Sequence, residues 1–312
     1  MLYYNDWCSI ESGDGVFNIV VKTNIDDIIR IDNTPLDDIK LQATLRASSV
    51  LGSNPVICLS GGIDSQAMYH IWHKDIPVTV AVFEFEHGQN SEEVKDAQRF
   101  ADKFQIPIKK IKLDVMKFLH FDLINYGKKY HCCSPQFAVH CFFLNTLKEQ
   151  GYTGAAFGGN GPVIDFSGVY FSQTKAQLFD LENFNQPGFT VIPTFLAFDQ
   201  DLCLKLSLAT PLMENVQDIN LRLRHRYSNK ISSYKNLGLD VVPQIEKKTG
   251  FEQLKNIING SMSDVWGFER KFRGPLLQMN MDCHSVTIID NQVKDYIFNR
   301  SKSISFDLSL PG

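Results

Sequence analysis

The chain has 312 residues, 44% of them hydrophobic, a formal net charge of −4 and seven scattered cysteines. That balance fits a globular protein with a sizeable core and gives no whole-protein electrostatic reason to expect a polyanion partner. No run of about 18 apolar residues occurs, so no transmembrane helix is expected. An odd cysteine count without a C-x-x-C pair argues against a disulfide framework or a zinc site built from four cysteines. Met1 to Trp7 lacks a basic region followed by an apolar core, so no signal peptide is expected. A reducing cytoplasm is the expected setting.

Taken in chain order, residues 17–22 and 28–32 read as short strands. Residues 36–50 have helical periodicity, with Leu36, Ile39, Leu41, Leu45 and Val50 apolar. Asn54-Pro55 breaks the chain. A short apolar run, Val56 to Leu59, then stops at Ser60-Gly61-Gly62, and Gln66 to His73 reads as helix. Residues 78–83 form a second buried strand. Asn90-Ser91-Glu92-Glu93 has the form of a capping box, opening a helix with Val94, Ala97, Phe100, Ala101 and Phe104 on its apolar face. A third strand follows over 106–113. The helix over 134–150 has Pro135 in its first turn. A fourth strand over 154–157 ends at Gly158-Gly159-Asn160-Gly161-Pro162. Such alternation predicts an α/β fold, a doubly wound parallel sheet with helices on both faces. Ligands of such sheets bind at the carboxyl ends of the strands, where both glycine loops fall. From about residue 195 the pattern turns helical, over 202–208 and 218–227. The tail after Pro275 alternates, as in Val286 to Ile289.

The most telling stretch is Ser60-Gly61-Gly62-Ile63-Asp64-Ser65. Glycines let a ligand approach the main chain, and the helix start behind them offers free N–H groups and a positive dipole end to an anion. Ser60 and Ser65 add hydroxyl donors. Asp64 would repel phosphates unless it carries Mg2+, which takes oxygen ligands and bridges phosphates. The G-x-x-x-x-G-K-[ST] loop is absent from the chain.

This stretch resembles the signature of the PP-loop ATP pyrophosphatases, of the adenine nucleotide alpha-hydrolase superfamily. The resemblance implies a Rossmann-like fold of that type and a loop that grips the β- and γ-phosphates of ATP. It also implies cleavage to AMP and pyrophosphate with adenylation of a substrate oxygen. Ser60, Gly61, Gly62, Asp64 and Ser65 would bind the nucleotide, with ATP and Mg2+ as cofactors. Residues 146–161 resemble a further block of asparagine synthetase and β-lactam synthetase, whose glycine loop reads Gly-x-Gly-x-Asp-Glu. Gly159 and Gly161 would then contribute to nucleotide binding. The chain departs from that loop after Gly161, where Pro162-Val163-Ile164 carries no acid. Asp165, a little farther on, is the candidate second metal ligand beside Asp64, with Asn160 a neutral alternative. Pro243 to Phe251 resembles the basic segment in which a Lys precedes Gly-Phe and steadies transition-state charge. Lys248 is that candidate, with Lys247 beside it.

The glutaminase half of asparagine synthetase has no counterpart here. The expected reaction is therefore activation of a small-molecule carboxylate and its transfer to ammonia or an amine. Between residues 222 and 273 lie eleven basic and five acidic residues. That excess keeps open an alternative, nucleobase modification of tRNA or DNA by a PP-loop enzyme whose basic segment grips the nucleic acid. A non-catalytic ATP- or AMP-binding protein is a further alternative. The expected organisation is 1–50 as lead-in strands and helix, 51–195 as the ATP-binding α/β domain, and 196–312 as a mostly helical C-terminal extension that completes the site.

Overall fold

The computed structural model describes residues 8–13, 16–21, 23–130, 132, 135–165, 168–171, 184–213, 219–244, 250, 251, 254, 286–288 and 291–304. Strands β1 (Cys8–Gly13) and β2 (Val16–Val21) pair antiparallel. Helices α1 (Ile25–Asn33) and α2 (Leu36–Leu51) lead to β3 (Pro55–Cys58) and α3 (Ile63–Ile71). Then come β4 (Thr79–Phe85), α4 (Ser91–Phe104), β5 (Ile108–Leu113), α5 (Val115–Phe121), α6 (Leu123–Lys129) and α7 (Pro135–Glu149). After β6 (Gly154–Phe157), strands β7 (Pro162–Asp165) and β8 (Gly168–Phe171) form a hairpin. The rest comprises β9 (Thr190–Ile192), α8 (Gln200–Leu208), β10 (Leu212–Met213), α9 (Ile219–Asn236), β11 (Val286–Ile288) and α10 (Asn291–Lys302).

The central sheet has the order β5-β4-β3-β6-β9, and every pairing in it is parallel. All four residues of β3 are buried, as expected for a strand covered on both faces. Alternation along the strands divides the core in two. Ile57, Leu59, Val80 and Val82 pack with residues of α2, α3, α4 and α8. Val56, Cys58, Ala81 and Phe83 pack with residues of α5, α6 and α7. The sheet grows from β3 outward through β4 to β5, then resumes on the other side of β3 with β6. The reversal leaves a crevice beyond the carboxyl ends of β3 and β6, where doubly wound sheets bind ligands. The doubly wound α/β expectation therefore holds.

Three local expectations do not. Residues 28–32 lie within α1 and not in a strand: Asn24 caps it by accepting a hydrogen bond from the Asp27 N–H at 2.9 Å, and Ile28 and Ile31 face the core. So short an apolar run does not separate strand from helix by pattern alone. Asn90 makes no capping box. Its side chain instead accepts from the Phe85 N–H and donates to the Phe83 carbonyl, bracing the end of β4. Helix α9 runs nine residues beyond Tyr227, through a polar stretch with no outward apolar signal.

Gly154, in β6, lies against both α2 and β9. A Cβ there would stand 2.7 Å from the Leu51 carbonyl oxygen and 2.8 Å from that of Thr190. Both are backbone atoms, so Gly154→Ala is expected to destabilise the fold by about 1–3 kcal/mol through overpacking. Urea unfolding of the two proteins measures it; an unchanged midpoint would show that the sheet gives way freely there.

Candidate active site

The loop between β3 and α3 is shaped by its own side chains. Ser65 Oγ donates to the Gly62 carbonyl at 2.8 Å and accepts from the Ser60 N–H at 3.1 Å and the Ser60 hydroxyl at 3.2 Å. Gly61 has φ +69°, and a Cβ on it would strike α4 at Asp96 and the Ala97 nitrogen. Gly61 is thus a packing and turn glycine. Gly62 differs: a Cβ there would meet nothing closer than Ser60 Oγ at 3.4 Å. Its lack of a side chain keeps backbone accessible on the cleft side. Among the described residues, no hydrogen bond engages the N–H groups of Gly62, Ile63 and Asp64 at the start of α3. A helix start with such N–H groups is electrostatically suited to an anion.

Gln66 staples this loop to the segment after α9. Its Nε2 donates to the carbonyls of Gly61 at 2.6 Å and Val242 at 3.0 Å, while its Oε1 accepts from the Val242 N–H at 2.6 Å. Sequence reasoning missed Gln66, because a buried glutamine on a short helix has no pattern that announces its partners.

Asp64 is the hub. Its Oδ2 accepts from Lys230 Nζ at 2.9 Å, and its Oδ1 accepts from the Tyr234 hydroxyl at 2.5 Å and the Gly161 N–H at 3.2 Å. Lys230 also donates to Asn160 Oδ1 at 3.0 Å. Lys230 and Tyr234 stand one turn apart on α9, which puts both on the same helix face. Burial alone would raise the Asp64 pKa, but the Lys230 ammonium and the Tyr234, Lys230 and Gly161 hydrogen bonds outweigh it and hold the carboxyl below its usual range. Burial and the Asp64 charge push the Tyr234 phenol well up, so it stays a donor.

The second glycine loop is close-packed. A Cβ on Gly158 would strike the Asp64 backbone, one on Gly159 would strike Thr194, and one on Gly161 would lie 2.7 Å from the Tyr234 hydroxyl. Gly158, Gly159 and Asn160 line the cleft. Gly161 stands behind it and donates to Asp64.

The cleft holds about 180 Å3 of sheltered space and opens to solvent. Beyond the phosphate loop it is walled by aromatic rings. The His140 ring lies 5.7 Å from Phe157, 5.9 Å from Phe83 and from Phe137, and 6.1 Å from Phe251, centroid to centroid. Burial lowers the His140 pKa to about 4, so the ring is neutral at pH 7. Its Nδ1 is buried and makes no hydrogen bond among the described residues.

A Mg2+ ion needs near-octahedral oxygen ligands at about 2.0–2.1 Å. Asp64 Oδ1 already accepts two hydrogen bonds, and Oδ2 has one lone pair left beside the Lys230 ammonium. Among the described residues no cluster of three His, Cys, Asp or Glu side chains could hold a metal. This donor set does not fit an ion held by the protein alone. For Asp165 only the backbone is described, paired with Gly168 and Met213. Lys247 and Lys248 lie outside the described residues.

Residues 54–129, from the start of β3 to the end of α6 and including the loop, match the model of a family described as Queuosine biosynthesis protein QueC. This match supports the PP-loop adenine nucleotide alpha-hydrolase superfamily and not the asparagine-synthetase branch in particular. Comparison with curated proteins yields no match. Three solved structures show a loose likeness. The U34-tRNA thiolase NcsA from Methanococcus maripaludis, with its [4Fe-4S] cluster, is 13% identical over 90% of this chain and 92% of its own, with a TM-score of 0.36. The NMN synthetase from Francisella tularensis is 11% identical over 91% and 98%, with a TM-score of 0.35. The NH3-dependent NAD synthetase from Campylobacter jejuni is 14% identical over 92% and 97%, with a TM-score of 0.33. Likeness this loose says nothing of what the present chain binds.

Two outcomes test the site's architecture. Gln66→Leu leaves the Gly61 carbonyl and both Val242 backbone groups without their partner, and should cost about 1–3 kcal/mol; a thermal melt unchanged from wild type would contradict it. Asp64 has a folded-state pKa below the unfolded value, so the unfolded chain binds that proton more tightly. The stability it supplies is complete above about pH 4 and is lost as pH falls through the folded value. Urea midpoints between pH 7 and pH 3 should fall more steeply for wild type than for Asp64→Asn. Parallel curves would remove Asp64 from this role.

Proposed function

We propose that this chain is an ATP-dependent enzyme that releases AMP and pyrophosphate while adenylating an oxygen of a nucleobase-type substrate. The observation that carries the reading is the start of α3: three N–H groups without partners among the described residues, fronted by Gly62, beside the Ser60 and Ser65 hydroxyls. Such an array binds the oxygens of a polyphosphate. Its position at the sheet's switch point is where a nucleotide is held in this class of fold.

The substrate class draws support from two directions. The matched family is described by the biosynthesis of queuosine, a modified nucleoside. The cleft beyond the loop carries Phe83, Phe137, Phe157 and Phe251 around a neutral His140, an environment suited to stacking a planar ring. His140 would supply a hydrogen-bonding nitrogen without charge. Lys247 and Lys248 are proposed to steady the negative charge that develops on the phosphates, as fixed cations do in phosphoryl-type chemistry. Mg2+ would arrive on the nucleotide, since the donors among the described residues do not enclose it. Transfer of an activated carboxylate to ammonia or an amine is the second reading, favoured by the likeness of residues 146–161 to the amide-forming synthetases. It uses the same loop and differs in what occupies the aromatic end of the cleft. Among the described residues no helix is long and apolar enough to cross a membrane.

The test is release of AMP and pyrophosphate from ATP, measured with free nucleobases and nucleosides, with tRNA, and with amino acids plus ammonia. Equal amounts of both products are expected with a nucleobase or nucleoside. Gly62→Ala, which places a methyl group where phosphate would lie, should reduce the rate at least about tenfold with no loss of fold. Turnover with an amino acid and ammonia alone would replace the nucleobase reading with the amide-forming one. Tight ATP binding without turnover under any of these conditions would refute an enzymatic role.

A further inference from the structure

Asp64 places a negative charge at the mouth of a loop built for anions, a conflict that must be neutralised before a polyphosphate can enter. The neutralising group in this chain is an amino-acid side chain. Lys230 leaves 9% of its side-chain surface exposed, and its ammonium contacts both Asp64 Oδ2 at 2.9 Å and Asn160 Oδ1 at 3.0 Å. One of these acceptors belongs to the first glycine loop and the other to the second, so a single cation joins them. The chemistry of the pair is informative. Two facing carboxylates would suit a divalent ion, whereas a carboxylate facing an amide oxygen suits an ammonium, which carries one charge and donates up to three hydrogen bonds.

The placement of Lys230 is built in. Residues 229–234 of α9 are all buried. Asn229 donates to the Pro211 carbonyl at 2.6 Å, and Ser233 Oγ lies 2.9 Å from the Asn229 carbonyl oxygen and 3.0 Å from Thr210 Oγ1, within reach of either acceptor. Tyr234 reaches Asp64 only because Gly161 has no Cβ. The helix is held from several sides, and its ammonium is delivered to a fixed point.

We propose that Lys230 is the resident cation of the polyphosphate site: it neutralises Asp64 and locks the two glycine loops together, so that the site accepts a pyrophosphate or triphosphate tail without a metal ion as bridge. The proposal rests on the phosphate-binding reading above and adds to it a positioning residue and independence from a bridging metal. Lys230 acts through Asp64, not on the substrate directly.

The experiment is calorimetric titration of the full chain with inorganic pyrophosphate and with ATP, in EDTA and again in excess Mg2+. The proteins are wild type, Lys230→Met and the doubly neutral Asp64→Asn/Lys230→Met. Wild type is expected to bind in EDTA within about tenfold of its affinity in Mg2+. Lys230→Met should lose at least about tenfold in EDTA and regain most of it in Mg2+, because an unneutralised Asp64 then recruits the metal. The double variant should bind in EDTA better than Lys230→Met. A merely structural lysine would weaken binding equally in both conditions, and that result overturns the proposal. So does a wild type that binds only with Mg2+, an outcome that leaves the phosphate-binding reading standing. A wild type that binds neither ligand in either condition overturns both. Should Lys230→Met fail to fold, the wild-type comparison and the double variant still decide.

Discussion

The carboxylate of Asp64 is the contact on which the site's geometry depends. It receives the Lys230 ammonium, the Tyr234 hydroxyl and the Gly161 N–H, and so joins the start of α3, the second glycine loop and α9. Paired charges taken out of water are worth their desolvation only when the geometry is good and the remaining hydrogen-bonding capacity is used. The geometry is good and most of that capacity is used here, with three donors on two oxygens and a carboxyl held ionised below its usual range. Removing one partner would leave a half-buried charge and three elements without their common point.

Around that hub the molecule separates rigid support from open surface. Gly61 and Gly158 are glycines because α4 and the start of α3 press against them. Gln66 ties the loop to Val242, and Asn90 braces the end of β4 beside the cleft. These contacts use up backbone polar groups that would otherwise be unpaired. Gly62 lines the cleft, and the first N–H groups of α3 have no hydrogen-bond partner among the described residues. A site of this kind is preorganised: the donors are aimed before the ligand arrives, so binding needs little rearrangement.

Much of this was legible in the residues. The apolar run before Ser60, the glycine pair and the helix pattern after it marked a strand, a turn and a helix start. The alternation of strands and helices from 56 to 157 marked a parallel sheet. What was not legible follows from the range of the interactions. Asn90 and Glu93 have the spacing of a capping box, yet Asn90 turns to β4, because two backbone groups of that strand compete for its side chain. The stretch 229–234 of α9 reads as polar, and it is buried because Asn229 and Ser233 find backbone or hydroxyl partners at Pro211 and Thr210. Periodicity detects apolar faces and is silent on a helix whose buried face is hydrogen-bonded.

The strand–turn–helix around Ser60 to Ser65 follows from the residues alone, since the strand, two glycines and helix start act within ten residues and need no distant partner. The sequence also determined the class of the sheet, through the period of its apolar residues. Only the tertiary structure decided which cation meets Asp64. The ammonium seen against the carboxylate is that of Lys230, 166 residues along the chain. No spacing rule spans such a distance. That contact exists because a buried helix is threaded past the second glycine loop, at a point where Gly161 leaves room for Tyr234.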